Sequence, residues 1–185
     1  MAYVICAYYT VNTLYEEDVK KLEASLKKFN LPYELTAIPD LGNHQANVHF
    51  KPYFIKQMLN RHFPKDVIYV DADAIVQQPP SFFNTFKGDV GVVYLEKFGH
   101  ELLGGTLYFA NNAKAMEIIE RWIAYLFEFP LVWDQKVLQY VIEQSNDLNL
   151  NLIHLPPAYC QIFDLMKEFG PPVIEHFQAS RRNIK

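Results

Sequence analysis

Through its first half the chain alternates short apolar runs with stretches whose apolar residues recur at helical spacing, and few architectures accept that order. The run Tyr3 to Tyr9 reads as a strand buried on both faces. Thr13-x-x-Glu16 follows as a capping-box signature, and Val19, Leu22, Leu26 and Phe29 then recur at helical intervals with lysines and glutamates opposite. "LPYELTAIPD" supplies a second strand ending near Asp40. After the polar segment "LGNHQANVHF", Lys51-Pro52 opens a helix whose apolar face is Ile55, Met58 and Leu59, with the proline in the first turn, where its missing N–H costs nothing. The third apolar run is "VIYVDADAIV", Val67 to Val76. Strands and helices in this order predict an α/β sheet whose ligand site lies beyond the carboxyl ends of its strands.

In the second half, "VGVVY" and "TLYFA" read as further strands, separated by a segment that contains Gly99, Gly104 and Gly105. Met116, Ile119, Ile123 and Leu126 mark a long helix with Asn112 as its N-cap. "WDQKVLQYVIEQ" reads as another helix with Val137, Leu138, Val141 and Ile142 inward, and "LNLIHL" and "VIEHF" as late strands. No repeat or linker divides the chain, so residues 1–185 are expected to form one domain. At that length a core forms without help from a disulfide or a structural metal.

Half of the residues are apolar and 15% aromatic, which excludes a disordered chain, and a net charge of -4 argues against a chain-wide grip on nucleic acid. Cys6 and Cys160 show neither CxxC spacing nor a disulfide framework and fit a reducing compartment. The first residues lack a basic n-region, and no stretch reaches the roughly 18 apolar residues of a membrane span. The expectation is a soluble, cytoplasmic protein.

Two acids interrupt the third apolar run. On a strand, positions i and i+2 share a face with Cα atoms about 6.6 Å apart, so Asp71 and Asp73 are expected to converge. Like charges in a partly dry site raise one another's pKa unless a cation sits between them. A hard divalent ion, Mg²⁺ or Mn²⁺, meets that need. The motif alone is weak, because Asp-x-Asp also arises by chance and Asp favours turns. Its place at the end of a third strand is what sharpens it.

Around it stand "KPYFIKQML", "GGTLYFANN", "WDQKVL" and the terminal "HFQASRR". In this order and spacing the pieces resemble the GT-A-type glycosyltransferases that use nucleotide-diphospho-sugars, in particular the glycogenin-like and related short bacterial and viral members. The resemblance implies a single GT-A-like, Rossmann-like mixed sheet flanked by helices. It implies transfer of a sugar, with retention, from a nucleotide-diphosphate donor, expected to be a UDP-sugar, to an acceptor hydroxyl. By resemblance Asp71 lies near ribose and metal, Asp73 is the firmer metal ligand, and His176 completes the coordination of Mn²⁺ or Mg²⁺. Without the resemblance, His176 reads as a strand-edge histidine bonded to backbone. His154 is left as structural, and His44, His49, His62 and His100 lack ligand-like spacing.

The same resemblance places Lys51 at the donor phosphates, with Arg181 as a second phosphate contact whose neighbours Arg182 and Lys185 share the terminus. Tyr8 and Thr10, at the end of the first strand, and Asp40, after the second, are candidates for the nucleoside pocket. Gly104, Gly105 and Thr106 precede a strand where glycine permits close approach to a ligand, and in similar enzymes that region lies against the donor sugar. Asp134-Gln135 matches a helix-start pair that contacts donor-sugar hydroxyls, and Asp134 is the carboxylate nominated near the reacting sugar. A glycan, a protein side chain and a hydroxylated nucleobase all stay open as acceptor.

Two other readings share parts of this pattern. A phosphatase of the haloacid-dehalogenase type would use Asp71 as nucleophile, but its motif closes the first strand of the chain and not the third. A sugar nucleotidyltransferase would carry a glycine- and arginine-rich loop where this chain has "YYTVNT". The non-enzymatic alternative is a nucleotide-sugar binding module.

Overall fold

The computed structural model describes residues 2–179 and 181, so the expectations for Arg182 and Lys185 lie outside the described residues. Nine strands and five α-helices are described: β1 (Tyr3–Thr10), α1 (Tyr15–Lys28), β2 (Tyr33–Ile38), α2 (His44–His49), α3 (Lys51–Arg61), β3 (Asp66–Val70), β4 (Ala74–Val76), β5 (Val90–Leu95), β6 (Glu101–Phe109), α4 (Ala113–Glu128), α5 (Asp134–Gln144), β7 (Leu152–His154), β8 (Gln161–Ile162) and β9 (Ile174–His176). Six strands form one mixed sheet in the order β2-β1-β3-β6-β5-β7. Its first three strands are parallel, β6 runs against both β3 and β5, and β7 is parallel to β5. The remaining three form a small second sheet, β4-β9-β8.

The inner strands of the large sheet are largely buried on both faces because each face is covered, while β2 and β7 at its edges are only partly buried. Along β1, Val4, Cys6 and Tyr8 point into a cluster with Phe54, Ile55, Met58 and Leu59 of α3 and Trp122 of α4. Tyr3, Ile5 and Ala7 point the other way, onto Leu22 and Leu26 of α1 and Ile162 and Ile174 of the small sheet. The period of two in the strand sequence thus feeds two cores. No helix of the described residues is long and apolar enough to cross a membrane.

Several sequence expectations change in detail. The run Val67 to Val76 is not one strand: β3 ends at Val70, residues 71–73 turn, and Ala74 N–H bonds to Asp71 O at 3.0 Å before β4 enters the other sheet. Gly104 and Gly105 do not precede a strand but lie inside β6. The polar segment before Lys51 contains α2, capped by Asn43, whose side chain accepts from Ala46 N–H at 2.8 Å. The capping box is shifted: Thr13 Oγ1 accepts from Tyr15 N–H, and Glu16 reaches back to Asn12 N–H at 2.9 Å. Asn112 caps α4 as expected, but that helix buries Ala115, Ile118, Ile119, Trp122 and Leu126, a face rotated away from Met116 and Ile123.

Candidate functional site

At the carboxyl ends of β1 and β3 opens a cleft of about 520 Å³. The turn after β3 sends Asp71 and Asp73 into it, and β9 brings His176 opposite, in register with Ala74. One ligand atom from each of Asp71, Asp73 and His176 lies within 4.8 Å of the other two. The carboxylates therefore converge as expected, but a turn and not strand alternation brings them together. His176 sits on the central strand of the small sheet, 2% exposed, and not on an edge.

His176 is hydrogen-bonded at one ring nitrogen among the described residues. Its Nε2 is 2.8 Å from Thr106 Oγ1, while Nδ1 faces Asp73 Oδ1 at 3.7 Å and is buried without a hydrogen-bond partner among the described residues. Burial disfavours the imidazolium, yet Cys160 and Asp73 outweigh it and push the pKa up to about 10. Asp73 Oδ2 accepts Ala179 N–H at 2.6 Å. Burial raises the pKa of Asp71, and Asp73 adds to the rise while Lys51 opposes it. The Asp71 side chain keeps 39% of its surface open to the cleft, so water there tempers the shift.

This donor set suits a divalent cation: two hard carboxylate oxygens and one imidazole nitrogen that makes no hydrogen bond among the described residues. Binding would release the His176 proton.

Beside the cluster lies a buried charge pair. Lys51, 5% exposed at the start of α3, sits 2.8 Å from Asp134 Oδ2 and 3.5 Å from Asp71 Oδ1, and donates to Gly104 O at 3.1 Å. Among the described residues Asp134 Oδ2 has no directional hydrogen bond, so charge holds the pair. Burial works against the ammonium, but Asp134 and Asp71 outweigh it and hold Lys51 above the ordinary lysine pKa. Asp134 opens α5, as expected, but serves Lys51 and does not cap the helix.

The glycines make room for protein and not for open space. A Cβ on Gly104 would meet Gln135 Cβ at 3.0 Å and Lys51 Nζ at 3.4 Å; one on Gly105 would meet His176 Nδ1 at 3.0 Å and Cys160 Sγ at 3.2 Å. Gln135 links that wall to Glu101, to which its Nε2 donates at 2.9 Å.

Tyr8 and Thr10 both line the cleft. Tyr8 is largely core: its hydroxyl donates to Asn47 O at 2.7 Å and its ring packs on Phe50, Phe54 and Tyr69. Thr10 Oγ1 is 3.0 Å from Thr13 Oγ1. Arg181 reaches the rim paired with Asp164 at 2.7 Å. Asp40 is not brought to the cleft; its Oδ1 is taken by Gly42 N–H and Asn47 Nδ2.

Two residues that orient the site were not singled out in the sequence. Tyr69 donates to Asp71 Oδ1 at 2.7 Å and places its ring 5.2 Å from Lys51 Nζ. Strand alternation could have found it, two residues before Asp71. Trp122 donates its indole N–H to Asp134 O at 2.9 Å, a contact between helices that no local pattern reveals.

No family model matches the chain, and neither does any curated protein sequence. Solved structures do match in fold. A glycosyltransferase involved in the glycosylation of the major capsid of PBCV-1 superposes with a TM-score of 0.73 at 13% identity, over 95% of this chain and 93% of that one. The galactosyltransferase LgtC, solved with donor and acceptor sugar analogs, gives 0.61 at 10% identity over 95% and 87%. Mouse xyloside xylosyltransferase 1 gives 0.58 at 10% identity over 96% and 98%. Of GlyE from Streptococcus pneumoniae the chain spans 54%, with a TM-score of 0.63. The fold is GT-A-like, a mixed α/β sheet flanked by helices.

Proposed function

We propose, from the GT-A-like fold as premise, that this chain is a metal-dependent glycosyltransferase. It moves a sugar from a nucleotide-diphosphate donor, UDP-linked, to an acceptor hydroxyl with retention of configuration. The observation that carries the reading is the convergence of Asp71, Asp73 and His176 next to the buried Lys51 and Asp134 pair, in one cleft at the ends of the parallel strands. Mn²⁺ or Mg²⁺ bound there would neutralise charge building on the departing nucleoside diphosphate.

The chain's own residues supply position and charge. Tyr69 and Lys51 fix the Asp71 carboxylate from two directions, and Ala179 N–H and His176 do the same for Asp73. Lys51 stays cationic because Asp134 and Asp71 flank it, so it offers positive charge beside the diphosphate. Tyr8 and Thr10 border the nucleoside end. Asp134, Gln135, Gly104 and Gly105 form the wall for the donor sugar, fully buried Thr106 stands behind it and holds His176 instead of lining the cleft, and Arg181 closes the rim over the phosphates. Retention rests on the family resemblance and is read from the anomeric configuration of the product by NMR.

The test is Mn²⁺-dependent hydrolysis of, or transfer from, a panel of UDP-sugars. Wild type is expected to turn over and Asp73→Ala to be inactive, with Mn²⁺ binding in the presence of UDP lost when Asp71, Asp73 and His176 are all replaced by Ala. Activity on a generic phosphate ester without any response to UDP-sugars would overturn the proposal. No observation on the described residues favours the phosphatase or the non-catalytic binding module.

A further inference from the structure

On the outer side of Asp134 the cleft wall changes character. Trp133 lines the cleft yet is 55% exposed, beside Leu131 at 90% and Val132 at 37%. A buried tryptophan contributes some of the largest apolar areas available to a fold, and this one forgoes much of that. It is not loose. Val132 O is bracketed by Gln45 Nε2 at 2.9 Å and His49 Nε2 at 3.0 Å, so α2 pins the backbone next to it. The His44 ring meets the indole edge-on, with centroids 5.9 Å apart and planes at 64°. The second tryptophan of the chain, Trp122, is fully buried with its N–H committed to Asp134 O.

Contacts run outward from the metal-ligating cluster through Asp71 to Lys51, from Lys51 to Asp134, and from Asp134 to its exposed neighbour Trp133. If the diphosphate lies at the cluster and Lys51, and the donor sugar over Asp134 and Gln135, a group held at Trp133 meets the transferred sugar and not the nucleotide. A flat, rigid, partly wet indole suits a ligand with one apolar face and a polar rim, which is the description of a pyranose ring. A net charge of -4 weighs against a polyanionic acceptor.

We infer that Trp133 is the platform on which the acceptor stacks, and that the acceptor is a neutral carbohydrate. The inference rests on the transferase reading for its direction but not for its test. Isotope-labelled protein is titrated with lactose, maltose and cellobiose, and the indole N–H signal of Trp133 is assigned by its loss in Trp133→Phe. At least one disaccharide is expected to shift that signal saturably and to move Trp122 less. Saturation transfer to the same sugar is expected to persist in Trp133→Phe and to vanish in Trp133→Ala. In a transfer assay, Trp133→Ala raises the KM for the sugar acceptor about tenfold more than the KM for the donor.

Absence of any shift with all three sugars overturns the platform, whether or not the protein is an active transferase. So does an equal shift produced by UDP alone, which would assign the indole to the donor base. Disaccharide binding without turnover of any UDP-sugar supports the platform and sinks the transferase reading.

Discussion

Replacing Gly105 with alanine tests why a Gly-Gly pair lies inside β6. The added Cβ would sit 3.0 Å from both Cε1 and Nδ1 of His176 and 3.2 Å from Cys160 Sγ, where ordinary contact begins at 3.4 Å. Something must yield by a few tenths of an ångström. His176 has little freedom: it is 2% exposed, its Nε2 is tied to Thr106 Oγ1 at 2.8 Å, and its backbone is the middle strand of the small sheet. The ring gives by turning Nδ1 away from the carboxylates, or β9 gives as a whole. Overpacking of this kind costs about 1–3 kcal/mol.

At about 1.4 kcal/mol per factor of ten, a strain borne by the ligand geometry weakens Mn²⁺ binding by roughly fivefold to a hundredfold. Calorimetry with UDP present measures it, alongside thermal unfolding. Gly104→Ala is the control, because its Cβ meets Gln135 at 3.0 Å on the other face of the strand and leaves His176 alone. It is expected to lower Tm while holding the Mn²⁺ affinity. Wild-type affinity in Gly105→Ala, or an equal loss in both variants, would refute the argument.

Lys51→Met strands the buried Asp134 and leaves Asp71 less compensated; a cost of about 3–5 kcal/mol is expected in denaturant unfolding, and Lys51→Met with Asp134→Leu should recover most of it. Cys6 is fully buried, and burial, with Glu34 adding, raises its thiol from 9.0 to about 12. Its folded pKa lies above its unfolded one, so its contribution to stability is full below pH 9.0 and is lost as pH rises towards 12, by about 1.4 kcal/mol per unit. Unfolding measured across that window should fall less steeply in Cys6→Ala than in wild type, and native Cys6 should resist thiol reagents at neutral pH.

The sequence made the inner strands of the large sheet legible because they are apolar runs largely buried on both faces, and the long helices legible because capping and periodicity agree, as at Asn112. What it hid is tertiary. Helix α2 has no buried residue, so no periodicity marks it; a local cap and the Tyr8 hydroxyl on Asn47 O hold it. The turn at 71–73 is invisible because apolar residues flank it on both sides, and only the change of sheet shows that the chain bends there. Lys51 was singled out in the sequence as a charge at the head of its helix, but its pairing with Asp134, 83 positions later, depends on the tertiary packing that brings the first residues of α3 and α5 together.

Why the site straddles two sheets follows from the same turn. Had β3 continued, Asp71 and Asp73 would share a face, but no strand of the large sheet stands opposite them to carry a third ligand, since β6 passes Thr106 and Gly105 there. Bending the chain at 71–73 moves Ala74 into the small sheet, and its antiparallel register with β9 sets His176 across from the acids. The following residues then return to Asp73: Phe177 N–H reaches Asp73 O at 3.4 Å and Ala179 N–H takes Oδ2 at 2.6 Å, which leaves Oδ1 facing His176. The small sheet is thus the device that brings His176 to the two acids, so a cation bound by all three would also fasten that sheet to the large one. On the proposed reading, cation binding would then be linked to docking of the C-terminal strands, so stability and metal affinity are measured together in any variant of β6, β9 or the turn.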